Sequence, residues 1–192
     1  HYENEWNQKF ASNPSLKISD FPSFEVYQKL TAELLSLINK YAPGEAKQFV
    51  FVGGGPFPSS ALMLASQSTL TGIVLDNHAP SLFAGQRLAQ QMGVQSLSFQ
   101  TACGACYDFN SHPIIILAAQ AGLDARVKKR ILKRIAETAP CGALVLGRST
   151  RGLRQLVYPE LEFKDITELS LLEEEPSKPG ILSHLVALRK IE

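Results

Sequence analysis

Gly53, Gly54 and Gly55 stand together in the stretch FVFVGGGPFPSSALMLA, between a wholly apolar run and a helix-like segment. Glycine there lets the backbone take positive φ and lets a ligand approach with no Cβ in the way. Pro56 and Pro58 follow at once. Neither has an N–H to donate, so the turn is a poor cradle for a diphosphate, which needs a row of backbone donors. The spacing also departs from the dinucleotide pattern G-x-G-x-x-G. A nucleoside ligand without phosphate, with an amino-acid end and a ribose, suits it better. S-adenosylmethionine (SAM) is such a molecule. Asp76 ends the next apolar run, where an acid accepts hydrogen bonds from ribose hydroxyls; its other reading is a cap for the helix that follows. His78 reads as a turn residue.

Later in the chain, LGRSTRGLRQLVYPE places Arg148, Ser149, Arg151 and Tyr158 after another apolar run. A guanidinium such as Arg148 can grip a substrate carboxylate through two parallel hydrogen bonds. Arg151 and Arg154 read as solvated charges. Tyr158 offers both a packing surface and a hydroxyl that needs a partner. CGAC, Cys103 to Cys106, is a lone C-x-x-C with no second cysteine or histidine pair at zinc-site spacing, so a loop carrying two thiols is favoured over a redox or zinc site.

These groups need elements to hold them. From Ser23 as N-cap, Phe24, Tyr27, Leu30, Leu34, Leu37, Ile38 and Tyr41 mark one amphipathic helix, ended by APG. Short apolar runs then alternate with helical segments. The strands are expected in KQFVFVGG, LTGIVLDNH, VQSLSFQT, HPIIILAAQAG and CGALVLGRS. Asp124 caps ARVKKRILKRIAETAP, with Val127, Ile131, Leu132 and Ile135 inward and the basic run on a solvated face. Beyond Tyr158, DITELSLLEEE and SHLVALRKI read as two strands joined by PSKPG. Residues 1–22 read as an extended polar lead-in.

This rhythm predicts an α/β fold: a Rossmann-like, seven-stranded, mostly parallel sheet with a C-terminal antiparallel strand pair and helices on both faces. That ending distinguishes class I SAM-dependent methyltransferase folds from plain dinucleotide-binding domains. The expected division is a helical arm over residues 1–45 and a SAM-binding domain over residues 46–192. The glycine loop and Asp76 then sit beyond the carboxyl ends of the strands, at the crevice of a doubly wound sheet.

The 192 residues carry a formal net charge of +1, which gives no reason to expect a nucleic-acid or anionic-membrane partner. No apolar run reaches membrane-spanning length, and no signal-peptide pattern opens the chain. It begins with His1 rather than Met, as an excised piece would. Three cysteines cannot all pair within one chain, which fits reduced, cytoplasmic thiols.

Taken in order, several segments resemble the nicotianamine synthase family, including its bacterial opine-metallophore members. FVGGGPFPSSALMLA is similar to that family's strand, G-x-G-P-x-P turn and helix. IIILAAQAGLDARVKKRILKRI is similar to its fourth strand and next helix, with the paired alanines Ala118 and Ala119. LGRSTRGLRQLVYPELE resembles its R-S-x-x-G-x-R-x-x-x-Y-P segment, FPSFEVYQKLTAEL its Y-x-x-L helix, and SHLVALRK its ending. The resemblance implies transfer of the 3-amino-3-carboxypropyl group of SAM to an amino-acid-type amine, with release of methylthioadenosine and no metal required. Rival functions are small-molecule methyl transfer and a SAM-binding module without catalysis.

Carried onto this chain, the resemblance assigns SAM to Gly53, Gly54, Gly55, Pro56, Asp76, Asn77, Cys103, Ala118, Ala119 and Gln120. It assigns the acceptor to Arg148 and Ser149, with Tyr27, Glu33 and Tyr158 as catalytic residues. A carboxylate or tyrosinate there would take the amine's proton. The match departs in three places. The family's helix glutamate falls at Leu34 here, one residue past Glu33, so Glu33 is either the displaced acceptor or a surface charge. The adenine-binding acid falls at Cys103, leaving that work to Asp108 or to backbone carbonyls. The N-terminal helical region is also shorter than the family's. A homodimer is left open.

Overall fold

The structure, a computed structural model, describes residues 2–122, 124–150, 152–176 and 183–192. Seven strands form one sheet in the order β3-β2-β1-β4-β5-β7-β6. They are β1 (Gln48–Val52), β2 (Thr71–Asp76), β3 (Leu97–Thr101), β4 (Ile114–Leu117), β5 (Leu144–Ser149), β6 (Leu169–Glu175) and β7 (His184–Lys190). β1 to β5 pair in parallel, and β7 lies antiparallel between β5 and β6. This is the order expected of the class I SAM-dependent fold. Phe49, Val50 and Ile114 to Leu117 are all buried, as a strand covered on both faces requires. The chain turns outward in opposite directions from β1 and β4, so their carboxyl ends frame the switch-point crevice.

The helices are α1 (Tyr2–Ser12), α2 (Phe24–Tyr41), α3 (Ser59–Ser66), α4 (Ala79–Gln91) and α5 (Ala125–Thr138). Leu34, Leu37 and Ile38 of α2 and Ile131, Leu132 and Ile135 of α5 join the strands in one apolar core. Ser23 is the N-cap position of α2, and Asp124 caps α5 by accepting a 2.7 Å hydrogen bond from the Arg126 amide. The expected PSKPG turn falls largely outside the described residues, as does Arg151.

Two expectations are corrected. The lead-in is not extended over Tyr2–Ser12: it is helix α1. Glu3 and Glu5 in its first turn and Lys9 in its last complement the helix dipole. Its docking face is aromatic. Trp6 and Phe10 pack with Phe21, Phe57, Leu62 and Leu88 in a second apolar cluster. On α5 the inward face is shifted by one residue. Val127 is 39% exposed, whereas Lys128 is 1% exposed, so the basic run is not wholly solvated. The inward set Lys128, Ile131, Leu132, Ile135 and Ala136 still follows helical spacing.

Candidate active site

The loop after β1 is drawn tightly onto the end of β2. The Gly53 and Gly54 amides both donate to Leu75 O, at 2.8 and 3.1 Å, and the Gly55 amide donates to Asp76 Oδ2 at 2.8 Å. Pro56 has no amide hydrogen. From Gly53 to Pro56, then, no backbone N–H is left for a phosphate. Glycine is needed here on steric grounds. Gly53 has φ +86°, and a Cβ on it would lie 2.9 Å from Ala121 Cβ; Gly55 has φ +59°.

Asp76 is not the helix cap: that place belongs to His78, whose Nδ1 accepts from the Ser81 amide. The Asp76 carboxylate is instead oriented by the backbone, with Oδ1 accepting from the His78 amide at 2.9 Å. Each oxygen keeps acceptor capacity for a hydroxyl.

Beyond the loop lies an inner chamber of about 120 Å³, walled by the three glycines, Asp76, Ala118 and Ala119. An outer chamber of about 430 Å³ shares Glu3, Tyr27, Pro56, Gln120 and Tyr158 with it and extends toward Tyr2, Phe21 and Ser23. At their junction the Tyr27 phenol lies beside both the Glu3 carboxylate and the Arg148 guanidinium and interacts electrostatically with each. Burial, with the Glu3 charge beside it, pushes the Tyr27 phenol up to about 12, so it stays protonated as a donor. Burial likewise raises the Glu3 carboxyl above the ordinary glutamate range, against the opposing pull of the Arg148 cation and the Tyr27 hydroxyl beside it. Arg148 is itself held by a 2.9 Å hydrogen bond from Nε to Ser183 Oγ.

The structure therefore gathers Tyr27, Gly53, Gly54, Gly55, Pro56, Asp76, Ala118, Ala119, Gln120, Arg148 and Tyr158 around one cleft. It does not bring four other expected residues to the described lining. Glu33 lies six residues past Tyr27 on α2 and is half-buried elsewhere; six steps are about 9 Å and 240° around a helix. Asn77 and Cys103 are exposed outside the lining. Ser149 is 2% exposed, and its Oγ accepts from the Leu161 amide, pinning the chain beyond Tyr158. Asp108 is also outside the lining, and CGAC closes a turn through Cys106 N to Cys103 O, with both thiols exposed. Sequence reasoning missed Glu3. The available signal was the stripe Tyr2, Trp6, Phe10 at four-residue steps, which marks a docked helix and so a fixed place for its neighbour.

The profile described as "Nicotianamine synthase protein" matches residues 1–192. The chain belongs to the nicotianamine synthase family. "Nicotianamine synthase 2" of Arabidopsis thaliana is 24% identical over 188 residues, covering 95% of this chain and 59% of that protein. The rice (Oryza sativa subsp. japonica) "Nicotianamine synthase 2" is 30% identical over 166 residues, covering 80% of this chain and 50% of its own length. The chain thus spans little more than half the length of the curated relatives it matches. Among solved structures, MtNAS in complex with MTA and tNA superposes with a TM-score of 0.87 at 19% identity, covering all of this chain and 70% of that one. Among the described residues no helix is long and apolar enough to cross a membrane, and no cluster of three or more His, Cys, Asp or Glu is placed to hold a metal ion.

Proposed function

We propose that this protein transfers the 3-amino-3-carboxypropyl group of SAM to an amino-acid-type amine, releasing methylthioadenosine. The observation that carries the reading is the junction of the phosphate-unfriendly glycine loop with the Glu3, Tyr27, Arg148 and Tyr158 cluster. The relatives' names and the MtNAS complex support it. The arm, residues 1–45, contributes Glu3 and Tyr27, and residues 46–192 contribute the SAM side.

The residues present fit SAM. The glycine loop admits close approach, Asp76 has acceptor capacity for ribose hydroxyls, and no row of amides demands a phosphate. A bound sulfonium makes each attached carbon electrophilic, and the one held about 3 Å from the nucleophile and in line with the sulfur is the one that reacts. Arg148 grips a carboxylate at the chamber junction. Tyr27, kept protonated, donates a hydrogen bond there. Glu3 takes the role expected of Glu33: it holds the acceptor ammonium and receives its proton, a task suited to a carboxyl raised by burial. As the C–N bond forms, the C–S bond breaks and its electron pair leaves on the neutral thioether.

Mass spectrometry of the protein incubated with SAM and a pool of amino acids tests this. Methylthioadenosine with a new amine adduct is the expected result. S-adenosylhomocysteine would assign methyl transfer instead, and SAM binding without either product would assign a non-catalytic module.

A further inference from the structure

Lys128 is the one basic residue in the ARVKKRILKR run that turns inward among the described residues. Its ammonium donates to three backbone carbonyls: Arg148 O at 2.6 Å, Ala119 O at 3.3 Å and Pro159 O at 3.3 Å. An ammonium has three N–H donors, so all are engaged. Filling space alone would not call for a lysine. An apolar side chain of similar volume would occupy the position without the desolvation cost of a charge. Burial, reinforced by the Arg148 cation, lowers the Lys128 ammonium to about 8.

The three carbonyls belong to separate parts of the cleft. Ala119 follows β4 and walls the inner chamber. Arg148 lies near the end of β5, and its side chain reaches the chamber junction. Pro159 directly follows Tyr158, which lines both chambers. One nitrogen thus ties the donor wall to the two acceptor groups contributed from the other side.

We infer that Lys128 is a positioning residue for group transfer, setting the separation between the SAM side of the cleft at Ala119 and the acceptor side at Arg148 and Tyr158. The inference rests on the transfer reading above. The glycine loop and Asp76 are held by hydrogen bonds of their own, to Leu75 O and from the Gly55 and His78 amides, so SAM still binds when the tie is cut. The in-line approach is what suffers, and a displacement of about 1 Å can cost roughly a hundredfold in rate.

The test uses Lys128→Met, of similar length with no donor, and Lys128→Gln, which keeps two N–H groups. SAM affinity is measured by calorimetry and product formation by single turnover at saturating acceptor. The expected result is a SAM Kd within about threefold of wild type and a rate at least about tenfold lower, not restored by more acceptor. A folded variant turning over within about threefold of wild type overturns the inference, as does a rate that falls only in step with SAM binding. Failure of both variants to fold also overturns it, since Lys128 would then serve folding alone. The underlying reading fails separately: if wild type yields S-adenosylhomocysteine, transfer of the larger group is excluded. The ratio of variant to wild-type rates for that product still tests Lys128.

Discussion

Replacing Asn7 with leucine should loosen α1 while leaving the sheet intact. Asn7 is 6% exposed, and its Nδ2 donates to two carbonyls, Pro56 O at 2.6 Å in the glycine loop and Ala84 O at 3.0 Å in α4. Leucine keeps the branching and approximate volume but has no donor. Both carbonyls then lose this partner in a mostly dry setting. Two bonds of modest net worth, plus the penalty for leaving Pro56 O without this donor (Ala84 O keeps its bond within α4), come to about 2 to 4 kcal/mol. That shifts the docking equilibrium of α1 by about 30- to 700-fold. The aromatic contacts of Phe10 and the Gln91 hydrogen bond to Phe10 O at 2.9 Å still favour docking, so the effect is local opening rather than global unfolding. Trp6, the chain's single tryptophan, packs on Phe10 and Phe21 and reports the change directly. Expected are red-shifted Trp6 emission, faster amide exchange over α1 but not over β1 or β4, and slower transfer because Glu3 leaves the junction. Unchanged emission and exchange in Asn7→Leu would refute the claim that this side chain pins α1 to the glycine loop.

Glu3→Gln should lower transfer by roughly a hundredfold or more, while Glu33→Gln leaves it near wild type; the reverse ranking, read by methylthioadenosine release, would restore Glu33 as the acid. The acid limb of the kcat/KM profile should lie above the ordinary glutamate range, because burial raises Glu3, and it should vanish in Glu3→Gln. A carboxyl raised by folding adds stability at low pH and loses it as pH rises through its folded value. Glu3→Gln should therefore have a higher Tm than wild type at pH 7, and thermal melts should show the gap closing below the ordinary glutamate range. Leu132→Ala, at a position with no exposure, should cost about 2 to 5 kcal/mol in denaturant unfolding, the range for cavities in a packed core.

The sheet was legible because its central strands are covered on both faces and so read as unbroken apolar runs. Ile114 to Leu117 could hardly be anything else. The glycine loop was legible for a local reason, since steric demand and missing donors are properties of the residues themselves. Lys128 was not. Period alone cannot separate a face led by Val127 from one led by Lys128, and the partners that admit an ammonium come from three separate stretches of chain, at Ala119, Arg148 and Pro159. Glu3 was hidden differently: its helix is polar on average, and its docking stripe is only three aromatics long. Glu33, Cys103 and Ser149 came from matching a motif, and a motif carries residue type more faithfully than the direction in which a side chain points.

The position of β7 has a consequence for how the protein comes into being on the ribosome. β1 to β5 can pair as they emerge, bringing the glycine loop, Asp76 and Ala119 together. β5 remains an open edge until His184–Lys190 is synthesised and slots in beside it. Arg148 likewise waits for Ser183, a partner 35 residues later in the chain. The donor half of the cleft is therefore complete in a nascent chain before the acceptor half is held in place. A chain stalled in that interval would present SAM-binding surface with no fixed site for an amine.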